Sequence, residues 1–156
     1  MNVIENSKLF RCTYPFGLYI SDNLFLVKIM IEEILKLVTI EEEKRLICRG
    51  SSGAIIAGII ANSIPNCKII HIKKEGESSH DASTEYSLEN ILENNYKNII
   101  VDDLIDSGFT MKVITDYMKK YIGEIDIICV TGEVIQGKID SIELPINNLI
   151  CYKYFK

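Results

Sequence analysis

The residues best placed to do chemistry are Asp102 and Asp103, side by side after the apolar run Ile99-Ile100-Val101 and followed by Asp106-Ser107-Gly108-Phe109-Thr110. Such a run predicts a strand buried on both faces. The change of polarity at Asp102 marks its carboxyl end, where open α/β sheets collect ligands. Gly108 lets backbone come close to a ligand, hydroxyls stand on either side, and the amphipathic helix expected from Thr110 offers free amides and a dipole that favour an anion. Carboxylates repel phosphate, so the acid pair must face something else. Sugar hydroxyls or a hydrated magnesium ion suit it, and a ligand carrying both ribose and phosphate satisfies strand end and turn together. The plainer alternative, a strand with an acidic edge leading into a capped helix, leaves the paired acids without a purpose.

This segment resembles the phosphoribosyl diphosphate (PRPP) binding motif of type I phosphoribosyltransferases: apolar residues, two acids, two further residues, Asp or Thr, Ser or Thr, Gly, any residue, Thr. Every defined position is present. The resemblance implies that Asp102 and Asp103 hold the ribose hydroxyls, with Mg2+ beside them. It also implies that Asp106, Ser107, Gly108, Phe109 and Thr110 wrap the 5′-phosphate. The fold implied is α/β and Rossmann-like, a parallel sheet flanked by helices with a small hood from the N-terminus or the C-terminal tail. The implied reaction transfers the phosphoribosyl group of PRPP to a nucleobase with release of pyrophosphate, as in nucleotide salvage, in a homodimer.

Two other segments bear on that reaction. Arg49-Gly50-Ser51-Ser52-Gly53 lies between an expected strand and helix and has the logic of an anion cradle, with glycines for unusual backbone angles and a guanidinium to fork onto phosphate. By itself it reads more readily as a tight connector with a solvated arginine. In phosphoribosyltransferases the matching loop binds pyrophosphate, which assigns Arg49, Gly50 and Ser51 there. A Walker-type loop would need Lys where the chain has Ala54. The polar stretch Lys73 to Ser87 lacks hydrophobic period and reads as a long loop. It resembles the family's catalytic loop, with Lys73 on pyrophosphate and Lys74 and Glu89 as catalytic residues. Tyr86-Ser87-Leu88-Glu89 looks like adenine enzymes, Lys74 with His80 suits orotate enzymes, and Asp106 matches the acid that 6-oxopurine enzymes place near purine N7. The base therefore stays open.

A chain of 156 residues with 47% hydrophobic content is long enough for one domain, residues 1–156, with a sizeable core. The net charge of −5 gives no basic face for nucleic acid. No apolar stretch approaches the ~20 residues that span a bilayer, and Glu5, Lys8 and Arg11 interrupt any secretion signal, so a cytoplasmic protein without membrane partners is expected. Of five cysteines, Cys48, Cys67 and Cys129 sit in or beside apolar runs and are expected to be reduced core residues.

The elements that must position these groups alternate. Leu24 to Val38 predicts a helix capped by Ser21-Asp22-Asn23, Leu46 to Cys48 a strand, Ala54 to Asn62 a helix ended by Pro65, and Cys67 to Ile72 a strand. A short helix or turn beginning over Leu88 to Leu92, the Ile99 strand, a helix over Thr110 to Tyr121 and a strand over Ile125 to Val130 follow. Ile142 to Phe155, with Pro145, reads as an edge strand. Phe16 and Tyr19 are candidates for stacking on a base or for core packing. Two other readings fit the pattern less well. One is a sensor of PRPP or a nucleotide on the same fold. The other is a receiver-like phosphate binder, whose acid pair would follow the first strand.

Overall fold

The computed structural model describes residues 1–9, 20–73 and 96–156. Eight strands and three helices are assigned there: β1 (Asn2–Glu5), α1 (Ile20–Ile34), β2 (Lys44–Arg49), α2 (Gly50–Ser63), β3 (Cys67–Ile72), β4 (Lys97–Asp102), α3 (Phe109–Met118), β5 (Ile125–Val130), β6 (Glu133–Ile135), β7 (Ile146–Cys151) and β8 (Lys153–Phe155). Six strands form one sheet in the order β1-β7-β5-β4-β2-β3, and every pairing is parallel. β6 and β8 form a separate two-stranded sheet. A parallel α/β sheet with flanking helices is the architecture expected from the sequence.

The sheet forms because its strands are apolar on both faces and each face has a helix to cover it. Leu46, Cys48, Ile99, Val101, Ile127 and Cys129 pack with α1 and α2, through Val27, Met30, Ile34, Ile56, Ala57 and Ile60. Ile47, Ile100, Ile128 and Val130 pack on the other face with Met111, Ile114 and Met118 of α3. Each fully buried isoleucine of this kind contributes about 1.5–3 kcal/mol of hydrophobic stabilisation, before the entropy it loses.

Chain direction sets where a ligand can enter. The strand that follows β2 in sequence lies on one side of it and the strand that follows β4 lies on the other, so strand order reverses between β2 and β4. α2 leaves β2 on one face and α3 leaves β4 on the opposite face, which opens a crevice at the carboxyl ends of these two strands.

Several boundaries differ from expectation. The first helix starts at Ile20, so Ser21 to Asn23 lie inside it rather than capping it. The tail strand β7 is internal, between β5 and β1, and β1 is the edge. Residues 2–5 thus belong to the main sheet rather than to a hood, while residues 10–19, with Phe16 and Tyr19, lie outside the described residues. Edge placement of β3 leaves Cys67 only partly covered. Cys151 on internal β7 joins Cys48 and Cys129 as a buried thiol. The short helix or turn expected over Leu88 to Leu92 lies outside the described residues. No helix among the described residues is long and apolar enough to cross a membrane.

Candidate functional site

The crevice holds a cavity of about 350 Å³ lined by Arg49 to Ser52 from β2 and α2, and by Asp102 to Gly108, Thr110 and Met111 from β4, its following turn and α3. Two helix N-termini therefore meet at one space. α2 begins at Gly50 immediately after the extended residue Arg49 (φ −141°, ψ 137°), and Gly50 itself takes φ +73°. The segment read as a glycine-rich turn is thus the first turn of a helix, made possible because a left-handed glycine redirects the chain from strand to helix with no intervening loop. Its opening amides have no intrahelical acceptor, and the helix dipole favours an anion beside them.

α3 repeats the device. Gly108, at φ +79°, is the residue before the helix, and its carbonyl accepts the Lys112 amide at 2.9 Å. The Ser107 hydroxyl accepts the Phe109 amide at 3.3 Å. A Cβ on Gly108 would lie 2.2 Å from the carbonyl oxygen of Lys138, in the 3₁₀ turn Gln136–Lys138 that packs behind the loop. Gly108 therefore serves the packing of the chain, since no side chain fits between the two turns.

Between the two helix ends stand the acids. Asp102 and Asp103 are buried, at 6% and 8% exposure, yet both line the cavity. Each carboxylate accepts the amide of the next residue: Asp103 N donates to Asp102 Oδ1 at 2.9 Å, and Leu104 N donates to Asp103 Oδ1 at 3.0 Å. The negative charge of Asp102 reaches across to β2. Burial, with the Asp102 carboxylate adding to it, pushes the Cys48 thiol up to about 12. Asp106 is exposed at the mouth. Arg49 brings the single guanidinium that lines the cavity among the described residues. Its Nε is buried without a hydrogen-bond partner, and its guanidinium carbon lies 5.7 Å from the centre of the Phe109 ring.

Of the residues singled out in the sequence, Arg49, Gly50, Ser51, Asp102, Asp103, Asp106, Ser107, Gly108 and Thr110 come together in this cavity. Phe109 does not line it. Its ring is 61% exposed, because the first residue of α3 faces outward, and it serves as a surface for Arg49. Lys73 does not line it either. It is an exposed residue just beyond Ile72, whose strand partner is Arg49. Lys74, His80 and Glu89 lie outside the described residues.

Sequence reasoning missed Thr131 and Gly132, which follow β5 and grip the backbone of the acid pair. The Thr131 hydroxyl, the Thr131 amide and the Gly132 amide all donate to the Asp103 carbonyl, at 2.6, 3.1 and 3.1 Å. The one available signal was a small hydroxyl residue followed by glycine at the carboxyl end of a buried strand.

The donor set suits a hard cation held jointly with a ligand. Magnesium takes one or two carboxylates and completes its shell with phosphate oxygens and water, and Asp102 and Asp103 offer two such groups beside the two anion-favouring helix ends. No group of three or more His, Cys, Asp or Glu that could hold a metal occurs among the described residues, so the ligand would have to supply the remaining oxygens.

No curated protein sequence matches the chain. The profile of the phosphoribosyl transferase domain matches residues 24–147, a span that contains both helix N-termini, the acid pair and the Thr131–Gly132 clamp. With four-fifths of its length so matched, and with paired acids and two phosphate-favouring turns gathered in one crevice, the chain belongs to the phosphoribosyl transferase domain family.

Proposed function

We propose that the protein transfers the phosphoribosyl group of PRPP to a nucleobase. The observation that carries this reading is the convergence of two helix N-termini, one guanidinium and two buried carboxylates on a single cavity. PRPP presents a phosphate at one end, a diphosphate at the other and two hydroxyls between, which is the complement of that lining. The α3 end, Ser107 to Thr110, would take the 5′-phosphate. The α2 end with Arg49 and Ser51 would take the diphosphate, and Asp102 and Asp103 the ribose hydroxyls.

In this arrangement a base nitrogen attacks C1 of the ribose as the C1–O bond to pyrophosphate breaks, through an oxocarbenium-like state. The enzyme's contribution is to hold the two reactants in line and to meet charge where it develops. Arg49 and the α2 amides stabilise the departing pyrophosphate, and the acid pair stabilises positive charge on the sugar. Magnesium bound with the substrate, held by Asp102 and Asp103, would neutralise diphosphate charge. Asp106, exposed at the mouth, is placed to accept or return a proton on the base. Glu89 and Lys74 are proposed for the same catalytic step on the strength of the sequence motif.

Pyrophosphate release from PRPP with adenine, hypoxanthine, guanine, xanthine and orotate tests the proposal and names the base. The double substitution Asp102→Asn, Asp103→Asn should weaken magnesium–PRPP binding by about 1 to 3 kcal/mol in calorimetry, because two charge-assisted hydrogen bonds are lost. Equal affinity of both proteins would refute the ribose assignment. Tight PRPP binding by a wild type that turns over none of these bases would favour a sensor.

A further inference from the structure

The acid pair works only if two adjacent side chains leave the sheet in fixed directions, and the amides that orient their carboxylates are themselves only as fixed as the backbone that carries them. The ladder between β4 and β5 ends at the pair Asp102 and Val130. Beyond it, where β4 turns away towards α3, one atom carries the connection. The Asp103 carbonyl accepts three hydrogen bonds from the chain that follows β5: the Thr131 hydroxyl at 2.6 Å and the Thr131 and Gly132 amides at 3.1 Å each. Thr131 is fully buried. Gly132 is pressed against the same turn, since a Cβ there would lie 3.1 Å from Leu104 Cβ. The Gly132 carbonyl accepts the Tyr152 amide at 3.1 Å, which ties the gripping segment to the end of β7. The carbonyl so held belongs to one acid and immediately precedes the Leu104 amide that orients that acid's carboxylate.

We infer that Thr131 is a positioning residue for the ribose: its hydroxyl, with the two amides, locks the Asp103 peptide and so aims both carboxylates into the cavity. This rests on the ribose reading of the acid pair. Two amides alone would leave the carbonyl free to swing about the line between them. The hydroxyl approaches most closely of the three and removes that freedom. Cross-strand closure also explains why a fully buried hydroxyl follows the apolar run Ile127-Ile128-Cys129-Val130, since a valine there would pack as well but hold nothing.

The test compares wild type, T131V and T131S by calorimetry with magnesium–PRPP, alongside thermal melting. T131V keeps the shape and loses the donor, so PRPP affinity should fall about five- to tenfold, while T131S keeps the donor, loses a methyl group and should return to within about twofold of wild type. A packing role predicts the opposite order, with T131S the poorer protein. Affinity of T131V within about twofold of wild type, or T131S no better than T131V, overturns the inference. Should T131V fail to fold, T131A is measured in its place against the same two outcomes. Absence of PRPP binding by wild type would instead overturn the ribose reading itself.

Discussion

Replacing Gly108 by alanine puts a number on how tightly the turn before α3 is built into the chain. Two costs add. Gly108 has φ +79°, in the left-handed region, which an alanine occupies at a penalty of about 1 kcal/mol. Its new Cβ would stand 2.2 Å from the Lys138 carbonyl oxygen, whereas real Cβ contacts essentially never fall below 3.0 Å. The obstructing atom is backbone and cannot rotate away, so the 3₁₀ turn must retreat by most of an ångström, at a cost of about 1–3 kcal/mol. The total, about 2–4 kcal/mol, corresponds to a fall in melting temperature of roughly 5–15 °C for a chain of this size. Circular dichroism melts of G108A measure it, with G137A as the control, because nothing lies within 4 Å of a Cβ at Gly137. If G108A melts with wild type, the close approach of the two turns is wrong. At a temperature where both proteins remain folded, PRPP affinity should still fall, since Gly108 leads directly into the amides of α3 and any strain shared by its own turn moves them.

Two further outcomes follow from charge and burial. Asn6 Nδ2 and Lys36 Nζ both donate to Glu33 Oε1, at 2.6 and 2.8 Å, and the hydrogen bond from Lys36 above all holds this buried carboxyl below its ordinary value of 4.5. The folded state thus binds the proton less readily than the unfolded chain. The associated stability is complete above pH 4.5 and is lost as pH falls through the lower folded value. E33Q should destabilise the protein by about 1 kcal/mol at pH 7 and remove that part of the acid sensitivity, which urea titrations at pH 7 and in the acid range can read. Among the four described cysteines, alkylation at pH 8 followed by peptide mass mapping should modify Cys67 first, because burial pushes the Cys48 and Cys151 thiols up to about 12 and Cys129 is fully buried.

The parts of the fold legible in the sequence were those whose causes are local. β3 and β5 were expected over the residues they occupy, since short segments dominated by isoleucine and cysteine and bounded by polar residues are what a strand of such a sheet requires. The start of α2 was not legible, because Gly50 to Gly53 looks like a turn until the left-handed glycine is seen to begin a helix. The place of β7 depended on β1, more than a hundred residues away in the chain, and no local pattern carries that pairing. β6 and β8 have three residues each, too few to show a period. The candidate site divided in the same way. The acid pair and both phosphate-favouring turns stand in contiguous motifs, whereas Thr131 acts through a backbone atom of another strand and so has no signature of its own near the residues it serves.

The pairing of β1 with β7 has a further consequence for how the protein is made. Asn2 lies opposite Asn148, and each of the following pairs, as far as Glu5 and Cys151, is just as distant in sequence. During synthesis at about 5–20 residues per second, β1 therefore waits roughly 7–30 s before its partner exists. In that interval its backbone groups have no neighbour in the sheet, and the rest of the chain can assemble from β2 onward without it. Closure of the sheet is then a late event in the making of the protein, and the interval before it is when the growing chain most needs shielding from its neighbours.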